Sequence, residues 1–175
     1  MDHADYVRLL REGILDPGGW WADLGSGTGA FTLALAELIG PTGHIFSVDR
    51  NQHALRQQER IMKARFPATT VHYQVADYTQ QLQLPPLDGV IMANALHFQR
   101  VKAPVVQLIR DYLRPGGRLI LVEYNTDRGN RWVPYPLSYQ TWEALARQAG
   151  FASTRLLATR PSSVLHQIYS ALSIR

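Results

Sequence analysis

The run Trp20-Trp21-Ala22-Asp23-Leu24-Gly25-Ser26-Gly27-Thr28-Gly29 carries the strongest signal in the chain. A short apolar stretch ends in an acid, and three glycines follow at every second position. The segment behind them, Ala30 to Ile39, is apolar and helix-forming. The pattern reads as a strand, a tight glycine turn and a helix start, where a nucleotide-like ligand can touch backbone. The acid sets the sign of that ligand. A carboxylate at the strand end repels a pyrophosphate and welcomes an ammonium group.

Outward from this turn, apolar strands alternate with helical segments. A helix is expected over residues 3–15, with Tyr6, Leu9, Leu10 and Ile14 on one face, broken by Asp16-Pro17-Gly18-Gly19. Strands are expected at Trp20–Leu24, His44–Val48, Thr70–Val75, Gly89–Ala93 and Arg118–Tyr124. Helices are expected at Ala30–Ile39, Gln52–Phe66, Pro104–Leu113 and Tyr139–Gln148. The turn Arg114-Pro115-Gly116-Gly117 precedes the fifth strand. Two last strands, Ser153–Thr159 and Val164–Leu172, are joined by Pro161-Ser162-Ser163. Alternation implies parallel pairing with crossover helices, and the short final turn forces an antiparallel hairpin onto the sheet. The fold class is α/β, and one domain over residues 1–175 is expected, with residues 1–19 packing on the sheet.

Composition bounds the chemistry. There is no cysteine, so disulfides, thiolate zinc sites and a cysteine nucleophile are excluded. No apolar run approaches the ~20 residues of a membrane helix, and the acidic N-terminus lacks a signal-peptide pattern. No membrane insertion is expected, and a cytoplasmic location is the default. The net charge of +4 is carried almost wholly by arginine, with Lys63 and Lys102 the lysines. It is compatible with an anionic substrate or weak RNA contact and demands neither.

The early strands each end in a polar residue: Asp23, Asp49, Asp77 and Asn94. In a doubly wound sheet these ends line one crevice. Asp49 can accept hydrogen bonds from ribose hydroxyls, and Asp77 from an adenine amino group. Arg50, Tyr78 and Leu96 are placed to cover the adenine faces. Alone, either acid reads as a helix cap or a loop residue; the spacing of all four features together is the stronger signal.

With these residues in view, the chain resembles the class I S-adenosylmethionine-dependent methyltransferases over roughly residues 20–175. Asp23 to Gly29 is similar to that family's first motif, Val48-Asp49 to its ribose acid and Ala76-Asp77 to its adenine position. Asp88 to Asn94 resembles its fourth-strand motif, and Leu113 to Leu119 its turn before the fifth strand. The resemblance implies a Rossmann-like sheet of seven strands in the order 3-2-1-4-5-7-6, with strand 7 antiparallel. It implies S-adenosyl-L-methionine as cofactor and S-adenosyl-L-homocysteine as product. By position, Asp23 would face the methionine ammonium, and Gly25, Ser26 and Gly27 would meet the amino-acid part with backbone. Asp49 would take the ribose and Asp77 the adenine. Asn94 would lie near the sulfonium.

His97, just beyond the fourth strand, is the candidate general base; the competing reading has it packing with Phe98. Glu123 and Tyr124 lie on the same rim, as acceptor contacts or as a satisfied strand-end pair. The long loop after the fifth strand holds Arg128, Arg131 and Trp132 and is long enough for a lid. Tyr6 is placed near the cofactor entrance. Asn-Pro-Pro-Tyr is absent from the fourth strand, as is the paired-glutamate loop of protein arginine methyltransferases. Asn94 stands where a metal-assisted site would want an acid, so no metal is expected. These absences favour a small-molecule acceptor, with nucleic acid disfavoured. An RNA or protein methyltransferase, and a non-catalytic cofactor-binding protein, stay open as alternatives. A nicotinamide-dependent oxidoreductase is opposed by Asp23 and the terminal hairpin.

Overall fold

The computed structural model describes residues 1–175. Seven strands form one sheet in the order β3-β2-β1-β4-β5-β7-β6, and β7 runs antiparallel to both its neighbours. The strands are β1 (Trp20–Leu24), β2 (His44–Asp49), β3 (Thr70–Val75), β4 (Leu87–Ala93), β5 (Leu113–Tyr124), β6 (Ser153–Ser162) and β7 (His166–Ile174). The helices are α1 (His3–Arg11), α2 (Ala30–Ile39), α3 (Gln52–Arg65), α4 (Ala103–Tyr112) and α5 (Tyr139–Gln148). A 3-10 turn at Leu96–Phe98 follows β4. No helix is long and apolar enough to cross a membrane.

The central strands are buried on both faces, as parallel strands between two helix layers must be. On one face Trp21, Ile45, Ile91 and Ile120 pack beneath α1 and α2. On the other, Leu24, Val90, Met92 and Leu121 pack with Trp142 of α5 and Tyr169 of β7. Helix α2 is apolar nearly all round because α1 covers its outer side.

Several boundaries differ from the sequence expectation, each for a local reason. Helix α1 stops at Arg11, because the chain turns at Gly13 against Ile120 and Leu157. The expected turn at Arg114–Gly117 is instead the bulged start of β5, where the register slips between Leu87 and Gly89 of β4. Gly116 donates to the carbonyl of Arg175, which ties this bulge to the C-terminus. The terminal hairpin is longer than expected, pairing as far as Ser162 and His166. As the sequence reading has it, no helix connects β3 to β4. A loop crosses there instead, pinned by the Leu82 amide donating to the Tyr112 hydroxyl at 2.8 Å. One outcome is an open strip of sheet at the β3 end, where Trp20 stacks on His44 and Phe46 on His72.

Gly89 faces the buried Trp21 indole so closely that a Cβ there would overlap the ring. Gly89→Ala should therefore cost about 1–3 kcal/mol, the usual range for overpacking a core. Urea denaturation measures it; an unchanged midpoint would mean the indole has room to shift.

Candidate functional site

The strand order reverses between β1 and β4, so the chain leaves their carboxyl ends in opposite directions and a crevice opens there. Into it project the glycine turn after β1, Asp49 after β2, Asp77 after β3 and Asn94 after β4. Gly25, Gly27 and Gly29 all have positive φ, and a Cβ on Gly27 would meet nothing within 4 Å. At Gly27 the turn thus presents bare backbone to open space, whereas Gly25 and Gly29 lie close against Ala95 and Gln58. Its Gly27 amide donates to Asp49 Oδ2 at 2.8 Å, and the Asn51 amide to Asp49 Oδ1 at 2.7 Å. Each oxygen of a carboxylate has a second lone pair, so Asp49 keeps capacity for two further donors.

Asp77 accepts from the amide and hydroxyl of Thr79 at 2.9 and 2.8 Å. These bonds, with some help from Arg50, hold its carboxyl below the usual range. Ala76 donates its amide to the Asp49 carbonyl, which sets the two acids side by side. Asn94 has φ 51°, rare for a residue other than glycine, and its Oδ1 is buried with no partner. A strained backbone holding an unpaired acceptor is costly unless something else uses that acceptor.

Asp23 lies beneath the turn and is 1% exposed. The Thr32 hydroxyl donates to its Oδ2 at 2.6 Å. Burial pushes this carboxyl up to about 7, against the Thr32 bond and with a smaller push from Asp49. Ser26 is fixed through its hydroxyl, 2.8 Å from that of Ser47, which also reaches Gln58. Tyr78 is more deeply placed than an exposed adenine cover. Its ring packs beside Gly25, and its hydroxyl donates to the Ala95 carbonyl at 2.8 Å and accepts from Gln99. It is a fixed wall of the crevice. Arg50 is exposed at the crevice edge.

Beside Asn94 the structure joins two residues that the sequence left separate. Glu123, fully buried, lies with both carboxylate oxygens 3.0 Å from His97 Nδ1. The same carboxylate accepts from the His97 and Tyr124 amides, both at 3.1 Å. A carboxylate only accepts, so Nδ1 carries the proton and Nε2 is left with its lone pair free. The His97 ring packs against Phe98, with ring centroids 4.3 Å apart, and lies 5.9 Å from Tyr124. The packing against Phe98 is as one sequence reading had it, and Glu123 in addition orients the ring.

The loop after β5 is tied down rather than free. Asp127 accepts from the Ser138 amide and hydroxyl, and the Tyr135 amide donates to the His97 carbonyl at 3.0 Å. Arg128 and Trp132 are exposed on this loop. Tyr6 packs edge-to-face on Phe31 and lines a small cavity with Thr28, on the outer side of the glycine turn. Thr32, Gln58, Gln99 and Tyr135 were missed from sequence. Only Thr32 left a trace there, as a hydroxyl in the first turn of an otherwise apolar helix.

Residues 16–170 match the family model described as "Methyltransferase domain". The chain belongs to that family. It is similar to the ubiquinone/menaquinone biosynthesis C-methyltransferase UbiE of Burkholderia mallei, 28% identical over 136 residues, which are 76% of this chain and 53% of that one. The chain thus spans about half the length of the curated relatives it matches. Among solved structures it is similar to the YcgJ protein of Bacillus subtilis, with TM-score 0.81, 12% identity and 99% of each chain covered. It is also similar to an arsenic(III) S-adenosylmethionine methyltransferase of Chlamydomonas reinhardtii, with TM-score 0.73 and 20% identity, covering 93% of this chain and 64% of that one. Both likenesses concern the fold.

The cofactor that membership implies is S-adenosylmethionine, and the crevice fits it. The site offers acceptors, namely Asp49, Asp77 and the orphaned Asn94 oxygen, and no cluster of donors for phosphates. Such a set suits a nucleoside bearing an ammonium group.

The Asp23 carboxyl yields a pH test. Its folded value of about 7 lies above the unfolded ~3.9, so the native state holds the proton more tightly between about pH 4 and 7. The Asp23 contribution to stability is therefore full below that window and is lost through it as pH rises. Denaturation midpoints at about pH 5 and about pH 8 should fall for the wild type relative to Asp23→Asn. Parallel behaviour of the two proteins would mean that Asp23 stays ionised throughout.

Proposed function

We propose that this chain transfers a methyl group from S-adenosylmethionine to a small-molecule acceptor, with His97 as general base. The observation that carries the reading is the acceptor-lined crevice at the β1–β4 reversal, beside a histidine oriented by a buried glutamate.

In this reading Asp49 holds the ribose hydroxyls and Asp77 the adenine amino group. The backbone of Gly25, Ser26 and Gly27 meets the amino-acid part, with Asp23 beneath its ammonium. Asn94 Oδ1 takes a donor at the same end. When bound, the cofactor supplies a methyl on a sulfonium, which departs as a neutral thioether. Little acid–base help is needed for the leaving side, so the protein's work lies with alignment and the acceptor. Alignment of two reactants can lower a barrier by about 7–11 kcal/mol. His97 Nε2 takes the acceptor's proton as the acceptor becomes nucleophilic. Glu123 fixes the tautomer that has its proton on Nδ1, which makes Nε2 the accepting nitrogen, and stabilises the imidazolium that follows. Phe98 and Tyr124 wall the acceptor side. The small-molecule acceptor is supported by the likeness to a quinone-biosynthesis C-methyltransferase and an arsenic(III) methyltransferase.

Isothermal titration should show both S-adenosylmethionine and S-adenosylhomocysteine binding to the wild type. Asp49→Ala should weaken each about ten-fold or more, since bonds to a charged group are worth about 1.5–3 kcal/mol. Once a screen with labelled methyl donor supplies an acceptor, His97→Ala should lower kcat by about 10²–10⁴-fold. Glu123→Gln should move the pH profile of kcat. No cofactor binding by the wild type ends the reading; full turnover by His97→Ala removes the base.

A further inference from the structure

The rim around His97 differs from an ordinary solvated surface. Phe98, Val101, Trp132 and Tyr135 are 56%, 70%, 76% and 42% exposed. They come from two segments that the structure ties together. The Tyr135 amide bonds to the His97 carbonyl at 3.0 Å, and the Lys102 ammonium lies 5.9 Å from the Tyr135 ring centroid. Trp132 is held outward by construction. Asn130 Oδ1 accepts from the amides of Trp132 and Val133, both at 2.8 Å, and the Asn130 amide closes the turn on the Val133 carbonyl. Val133 is buried beneath it, so the indole is presented on a packed support.

Cations surround these side chains. Arg100, Arg128 and Arg131 are exposed, and none enters an ion pair; the paired arginines are Arg114, Arg118 and Arg160, elsewhere in the fold. Next to Val101 a groove of about 700 Å³ runs between α4 and α5, floored by Pro136, Leu137 and Leu145.

We propose that this rim is a membrane-docking face, seating the mouth beside His97 on an anionic lipid surface without a membrane span. Tryptophan and tyrosine favour the boundary between headgroups and acyl chains. Arginine pairs with lipid phosphates, and its attraction adds to apolar burial at the same surface. Val101 and the Pro136, Leu137 and Leu145 floor of the groove are aliphatic and suit an acyl chain. Bases would use the exposed aromatics as stacking planes and leave this aliphatic surface uncovered, so the combination favours lipid over RNA. Resting on the methyltransferase reading, the acceptor that enters from this side is an amphiphile dissolved in the bilayer.

Flotation of the full chain with vesicles tests the face directly. Binding to vesicles of phosphatidylcholine and phosphatidylglycerol in equal parts should exceed binding to phosphatidylcholine alone and should weaken as salt rises. Replacing Arg128 and Arg131 together by glutamine should weaken it about thirty-fold, or about 2 kcal/mol at ~1 kcal/mol per cation. Trp132→Ala should also weaken it and should remove the blue shift of tryptophan emission on binding. Homocysteine-analogue affinity, read by titration with S-adenosylhomocysteine, shows that each variant is folded. Wild-type protein that ignores anionic vesicles overturns the proposal, as does unchanged partition of both variants. Preference for single-stranded RNA over the vesicles overturns it in favour of a nucleic-acid surface. Vesicle binding without S-adenosylhomocysteine binding keeps the docking face and removes the methyl acceptor from it.

Discussion

The rest of the structure depends on the placement of β1. This strand pairs in parallel with β2 on one side and β4 on the other, and both its faces are buried. Parallel neighbours on both sides require crossovers that leave in opposite directions. The gap between those crossovers is the crevice, and the residues at the strand ends have nowhere else to point. The glycine turn, Asp49 and Asn94 are therefore neighbours by topology. The sheet and its two helix layers are what keep that gap in register.

Polar groups inside this frame are handled in three ways. Asp23 is buried with one hydroxyl donor, too little to offset the lost water, and its carboxyl is driven toward neutrality. Glu123 is buried as deeply but collects the Nδ1 proton and two amides. The first arrangement leaves an acid that gains from a nearby cation. The second makes a rigid support for the His97 imidazole. The orphaned oxygen of Asn94 is a third case, a buried acceptor with no partner at all.

The exposed rim is equally a product of packing. Val133 and Leu137 are drawn into the core, and Tyr135 is fastened to the His97 carbonyl. Anchoring these positions leaves the intervening Trp132 no inward route. The loop is fastened at these points and carries Arg128, Arg131 and Trp132 exposed.

Most of the fold was legible in the sequence because it rests on local signals. The apolar run to Leu24, the glycines after it, the proline and glycine stops and the short final turn each act over a few residues. With the family resemblance they define element order, sheet order and the antiparallel last strand. The strand-end residues Asp49, Asp77 and Asn94 were legible for the same reason, since a strand's end is a local property. What the tertiary structure alone decided are the contacts between residues distant in sequence. His97 and Glu123 sit on separate strand ends, and only the β4–β5 register brings Nδ1 to the carboxylate. The bulge at Arg114–Gly117, the buried position of Tyr78 and the outward Trp132 follow likewise from packing. Local propensity names what each segment can become; which side chains meet is settled by how the sheet stacks them.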